Sequence, residues 1–166
     1  SAVNTGELWN KHPEKSLGMR AAFVDKYPNA AKAILMAVME AQQWSDKAEN
    51  KAELSAIMGK RQWMNCPVAD ILDRSSGKYD YGIPGKVVEN SPHIMKYWKD
   101  FASYPFQSHD LWFLTEDIRW GKFEPGFDSK ALIKKVNRED LWRDAAKSLG
   151  VPAAEIPTST SRGVEK

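Results

Sequence analysis

The residues of this sequence able to do chemistry are three histidines, one cysteine, four glycine-lysine pairs and one tryptophan-rich run. His12, His93 and His109 lie far apart, none in an i, i+4 pair or beside a carboxylate at metal-ligand spacing, so no zincin-type centre can be assembled and no metal ligand is assigned. Histidines scattered in this way serve as caps and surface groups. Cys66 stands between Asn65 and Pro67 ahead of an apolar turn and reads as a buried, inert thiol, because no base motif accompanies it. The pairs at Gly59, Gly77, Gly85 and Gly121 lack the second glycine upstream and the following Ser or Thr of a phosphate-binding loop. The sequence therefore offers no catalytic residue and no cofactor site, and it reads as a non-enzyme.

The run over residues 108–121 is the most unusual stretch. Its His109, Trp112 and Arg119 combine stacking faces with donors, which suits contact with an anion or a partner protein, and these three are the candidate ligand-binding residues. Its plainer reading is core: Leu111, Leu114 and Ile118 fall on one helical face, and Asp110, Glu116 and Asp117 can lie on another. On that reading Arg119 is a salt-bridge partner. The Lys134-Lys135 pair and the Lys96, Lys99 set read as solvated faces.

Positioning these residues falls to a chain of 166 residues, 42% apolar and 28% charged, the size of one ordinary soluble domain. The net charge of +2 is far from the clustered excess of a nucleic-acid footprint, and no apolar run approaches the ~20 residues of a membrane span. A single Cys66 cannot form an internal disulfide and leaves the compartment unread. Ser1-Ala2-Val3-Asn4 lacks the basic and apolar regions of a signal peptide, which fits either a cytosolic chain or one that follows a removed segment.

Helix signals dominate. Ala30, Ala33, Ile34, Ala37, Val38, Ala41 and Trp44 recur at helical spacing behind Pro28, and Leu35, Met36 and Met39 widen the stripe until the helix needs a covering layer on two sides. Asp46 with Glu49 predicts a capping box opening a second helix through Leu54 and Ile57, ended by Gly59; residues 67–72 predict a short helical turn, and 75–85 a long loop. Ser91-Pro92 predicts a helix through Ile94, Met95, Tyr97, Trp98 and Phe101, and Ser108 the cap of the next, stopped at Gly121. Asp128 and Asn137 predict caps for helices over 130–136 and 138–149, the last ended by Gly150. The only strand candidates are 15–20 and 86–89. The expected fold is mainly α with few short strands, with a core domain over 1–155 and an extended or mobile tail over 156–166.

Longer runs carry a family resemblance. Gly6-Glu7-Leu8-Trp9, His12-Pro13-Glu14-Lys15, Leu17-Gly18-Met19-Arg20 and Tyr27-Pro28-Asn29-Ala30, leading to Glu40-Ala41-Gln42-Gln43-Trp44, resemble solute-binding proteins of nitrate, sulfonate and bicarbonate ABC transporters. Pro92-His93-Ile94-Met95-Lys96-Tyr97-Trp98-Lys99-Asp100, Ser103-Tyr104-Pro105-Phe106, residues 108–121, Asn137-Arg138-Glu139-Asp140-Leu141-Trp142 and residues 156–166 resemble the nitrate and bicarbonate branch of cyanobacteria. The resemblance covers essentially the whole chain. It implies the carboxy-terminal part of a two-lobe α/β periplasmic binding protein of type II, whose lobes close on the ligand at a hinge. It also implies nitrate or bicarbonate as the ligand, the membrane subunits of an ABC transporter as partners, and a periplasmic place at the cytoplasmic membrane. By the same resemblance the chain follows the segment that carries a charged anion contact, so no family ligand is carried onto a numbered position. Two alternatives stay open: a cytoplasmic anion-sensing domain fused to the transporter ATPase, and an interaction module with no ligand of its own. A fragment that lacks its partner lobe is expected to self-associate through the helix over 30–44.

Overall fold

The computed structural model describes residues 3–163. In chain order its elements are α1 (Thr5–Leu8), α2 (Ala21–Lys26), α3 (Pro28–Ser45), α4 (Lys51–Met58), α5 (Val68–Ser75), β1 (Tyr79–Asp80), β2 (Val87–Val88), α6 (Gln107–Arg119), α7 (Ser129–Val136) and α8 (Glu139–Ser148). There are three 3-10 turns, Ala48–Asn50 before α4, Lys99–Phe101 before α6 and Ala153–Glu155 after α8. Strand is confined, among the described residues, to one antiparallel pair with Tyr79 opposite Val88 and Asp80 opposite Val87. The described residues divide into two compact units, one of residues 3–12 and 40–102, the other of 13–39 and 103–163.

In the first unit α4 and α5 pack as a pair, and Ser55, fully buried, donates its hydroxyl to the Lys51 carbonyl (2.8 Å). Lys51 is itself buried with its ammonium near the Tyr97 ring; loss of hydration pulls its pKa down. Short helix α1 is far below the length at which a helix holds itself, so side chains must hold it. Tyr81 donates its hydroxyl to Glu7 Oε1 (2.5 Å) and accepts from the Asn4 amide (3.0 Å), while the Asn4 N–H donates back to Glu7 (3.0 Å). The Tyr81 hydrogen bond is the main reason the Glu7 carboxyl titrates below its usual range. Glycine at position 6 leaves room for His93: a Cβ there would sit 2.9 Å from its buried Nδ1 and force the imidazole to shift.

Asp46 corrects one expectation. Instead of opening α4 as a capping box, its buried carboxylate accepts the backbone N–H groups of Tyr97 (3.0 Å), Trp98 (2.8 Å) and Lys99 (2.7 Å). This overturns a second expectation, the α-helix through residues 94–101. N–H groups given to a carboxylate are not available to an i−4 ladder, and Asp100 and Phe101 have φ of 56° and 60°, a left-handed backbone no α-helix admits. The strand candidate at 86–89 survives as β2, while residues 15–20 form no strand. The turn expected at 67–72 is the full helix α5, and the loop expected over 75–85 contains β1.

In the second unit Met39, Ala31, Ile133, Trp142, Ala145, Ala146, Tyr104 and Phe106 are buried. Asp128 caps α7 by accepting from the Ala131 N–H (3.0 Å), and Asn137 Oδ1 accepts from the Glu139 N–H (3.1 Å) at the start of α8. Gly121 (φ 74°) and Gly150 (φ 69°) end α6 and α8 in the left-handed conformation that favours glycine. Helix α3 is covered on one side only: Ala31 and Met39 are buried, whereas Ala30, Ala33, Ile34 and Ala37 are exposed. The last described stretch, 156–163, contains neither helix nor strand, and its Arg162 is tied back to Ser108.

Candidate functional site

Helix α6 carries the three candidates, and the segment before it fixes how they are presented. Phe106, not Ser108, is the residue that precedes the first turn. Buried Phe106 meets the rings of Tyr104 (4.9 Å) and His109 (5.4 Å) edge to face. Ser108 donates its hydroxyl to the Arg162 carbonyl (3.0 Å) and accepts the Arg162 N–H (2.9 Å), and the Arg162 guanidinium lies 5.6 Å from the Phe106 ring centre.

Beneath α6 the polar groups compensate one another. The Tyr104 hydroxyl donates to Glu139 Oε2 (2.6 Å) and receives a hydrogen bond from Arg143; Gln107 donates to the other Glu139 oxygen (3.0 Å). Burial, then the Glu139 carboxylate, pushes the Tyr104 phenol up to about 12. Trp142 packs on Tyr104 (5.1 Å) and donates its indole N–H to Ser103 (3.0 Å). Asn137 bridges the Pro105 carbonyl (2.8 Å) and Asp110 Oδ2 (2.7 Å); burial raises the Asp110 carboxyl, and that hydrogen bond opposes the shift.

Sequence reasoning missed this Tyr104, Glu139 and Arg143 network. No local spacing joins residues 35 or more positions apart, so the one available signal was the Asn137 cap, which places Glu139 at a helix start.

The exposed face of α6 is aromatic. Positions 109, 112, 116 and 119 are spaced three, four and three apart, so they form one stripe along the helix. The structure thus brings His109, Trp112 and Arg119 to the same face but puts Glu116 between them. Arg119 pairs with Glu116 through both its Nε (2.9 Å) and an Nη, and its guanidinium lies 4.9 Å from the Trp120 ring centre. Trp112 and Phe113 meet edge to face at 4.9 Å. No residue of α6 is fully buried, and Leu111, assigned to a core face by its spacing, is exposed beside Trp112 and Phe113. Leu114 and Ile118 are half-buried. The face can stack and bury apolar surface, while the one cation on the stripe is already matched by a carboxylate. No cluster of three or more metal-ligating side chains occurs among the described residues.

The chain is 58% identical, over 99% of its own length, to the nitrate/nitrite binding protein NrtA of Synechocystis sp. (strain ATCC 27184 / PCC 6803 / Kazusa). A crystal structure of the periplasmic nitrate-binding protein NrtA from Synechocystis PCC 6803 superimposes with a TM-score of 0.91 at 59% identity over 96% of the chain. Along nearly its whole length the chain is similar to nitrate- and bicarbonate-binding proteins. Its relatives include the bicarbonate-binding protein CmpA of Synechococcus elongatus (strain ATCC 33912 / PCC 7942 / FACHB-805), 44% identical over 99% of the chain, and the NMT1-like family matches residues 1–59. The chain spans 37% of the length of that NrtA, 38% of CmpA and 41% of the crystallised protein. It is thus a helix-rich segment of a binding-protein fold, which accounts for the scarcity of strand. An α6 face that reads as core in the sequence but lies open in the structure also fits a segment of a larger fold.

Proposed function

We propose that this chain is part of a periplasmic solute-binding protein that captures nitrate or bicarbonate and hands it to the membrane subunits of an ABC transporter. The observation that carries the reading is the 58% identity to a nitrate/nitrite binding protein along 99% of the chain, against 44% to a bicarbonate-binding one; the difference favours nitrate or nitrite as the ligand of the whole protein. The role is transport rather than catalysis.

The anion contacts of the whole protein lie outside this chain. Supporting this, the Arg119 cation is taken by Glu116 and the Arg143 cation reaches into the Tyr104 network, so neither is left to hold an anion. Isothermal titration of the chain with nitrate and with bicarbonate is expected to show no saturable micromolar uptake. Saturable uptake abolished by Trp112→Ala or His109→Ala would overturn that expectation and assign the site to this stripe of α6.

A further inference from the structure

Between α4 and α5 the chain makes a tight turn that carries large apolar side chains next to two cations. The Trp63 N–H donates to the Lys60 carbonyl (2.9 Å), the Met64 N–H to the Met58 carbonyl (3.0 Å) and the Asn65 N–H to the Lys60 carbonyl (3.1 Å). Gly59 lets the two limbs close, since a Cβ there would lie 2.9 Å from the Cys66 carbonyl oxygen and 3.3 Å from Val68. Every residue from Lys60 to Asn65 is exposed, so the segment is a projecting tip rather than the lining of a groove. Trp63 is 66% and Met64 57% exposed, and Ile57 and Val68 flank them, also exposed. Lys60 and Arg61 are the only charged residues between positions 57 and 68.

Large apolar side chains held in water by a well-ordered turn mark a contact surface. Tryptophan with adjacent lysine and arginine is the combination that seats at the headgroup level of a bilayer, rings toward the acyl boundary and cations toward phosphate. No helix of the described residues is long and apolar enough to cross a membrane, so such a contact would be peripheral. We propose that the 57–68 tip is a peripheral membrane contact, with Trp63 and Met64 entering the interface of an anionic bilayer and Lys60 and Arg61 pairing with its lipid phosphates. The inference stands independently of anion capture.

Co-sedimentation of the chain with vesicles of equal parts phosphatidylglycerol and phosphatidylcholine, and with phosphatidylcholine alone, tests it. Binding is expected to the anionic vesicles and to weaken with salt. Lys60→Gln with Arg61→Gln should lower partitioning roughly 30-fold, on the scale of each basic residue near an anionic surface. Trp63→Ser with Met64→Ser should lower it as well, whereas Trp120→Ser, at a residue 72% exposed in the other unit, should not. All these positions are exposed, so the variants keep the fold, which matching circular dichroism verifies. Three results would overturn the proposal: no sedimentation with anionic vesicles, equal loss with Trp120→Ser, or tip variants that abolish self-association while leaving vesicle binding unchanged. The last would make the tip a protein contact.

Discussion

Replacing Asp46 with alanine withdraws the acceptor of three backbone N–H groups, at 3.0, 2.8 and 2.7 Å, from a position buried in the first unit. A hydrogen bond to a charged group contributes about 1.5–3 kcal/mol, and a buried donor left unsatisfied costs about 1–3 kcal/mol. The 97–99 segment is only partly buried, so water can reach some of these donors, and the sum is cut to about 3–5 kcal/mol for Asp46→Ala. Asp46→Asn keeps one acceptor oxygen and should cost about half as much. The segment has no alternative ladder, because the left-handed Asp100 and Phe101 prevent it from continuing as a helix. Urea denaturation gives the total, and amide hydrogen exchange read by mass spectrometry localises it to residues 97–99. A loss below about 1 kcal/mol, or unchanged protection of those amides, would refute the assignment of Asp46 as the anchor of this turn.

Four further outcomes are expected. Met39→Ala, at a fully buried side chain, should destabilise by about 2–4 kcal/mol, while Ile34→Ala on the open side of α3 should change thermal stability by less than about 1 kcal/mol. Tyr104 should titrate near 12, later than an ordinary phenol; because its folded pKa lies above the unfolded value near 10, its contribution is complete below about pH 10 and lost as pH rises toward 12, a slope that Tyr104→Phe removes from the alkaline unfolding curve. For Asp110 the raised folded pKa means that ionisation opposes folding, so Asp110→Asn should stabilise at neutral pH, and the gain should vanish as pH falls below about 4, when the carboxyl is protonated in both states. Light scattering over a dilution series should show self-association reduced by Ile34→Glu, and a monomer at every concentration would refute an open α3 face that seeks cover.

Elements that depend on nearby residues were legible in the sequence. Helices α3, α7 and α8 follow from period, cap and stop signals within a few positions, and Asp128, Asn137 and Gly150 act as their types imply. Elements decided by distant residues were not. Asp46 is a sound cap by type, yet it is drawn to amides some fifty positions away, and the same act removes the helix that Ser91-Pro92 announces. α1 is too short to signal itself and is set by Tyr81, more than seventy residues on. For α6 the pattern was read correctly and its setting was not. Leu111, Trp112 and Phe113 describe a helix that expects a neighbour, and a sequence cannot say whether that neighbour is present. The candidate site was legible to the same degree: its residues share a face, and the three-residue spacing of Glu116 and Arg119 already offers the salt bridge that the structure forms.

The interleaved division of the chain also has a consequence in time. Residues 13–39 belong with 103–163, yet a ribosome delivers 40–102 between them. At roughly 5–20 residues per second, the Met39 side of α3 must wait on the order of ten seconds for Trp142, Ala145 and Ala146 of its own unit to emerge. During that interval the apolar α3 segment is unaccompanied by the residues that cover it in its unit. Nascent chains of this protein should therefore engage holdase chaperones most strongly after α3 emerges and release them once α8 has followed, and slowing translation across 40–102 should raise the aggregated fraction without changing the stability of the finished molecule.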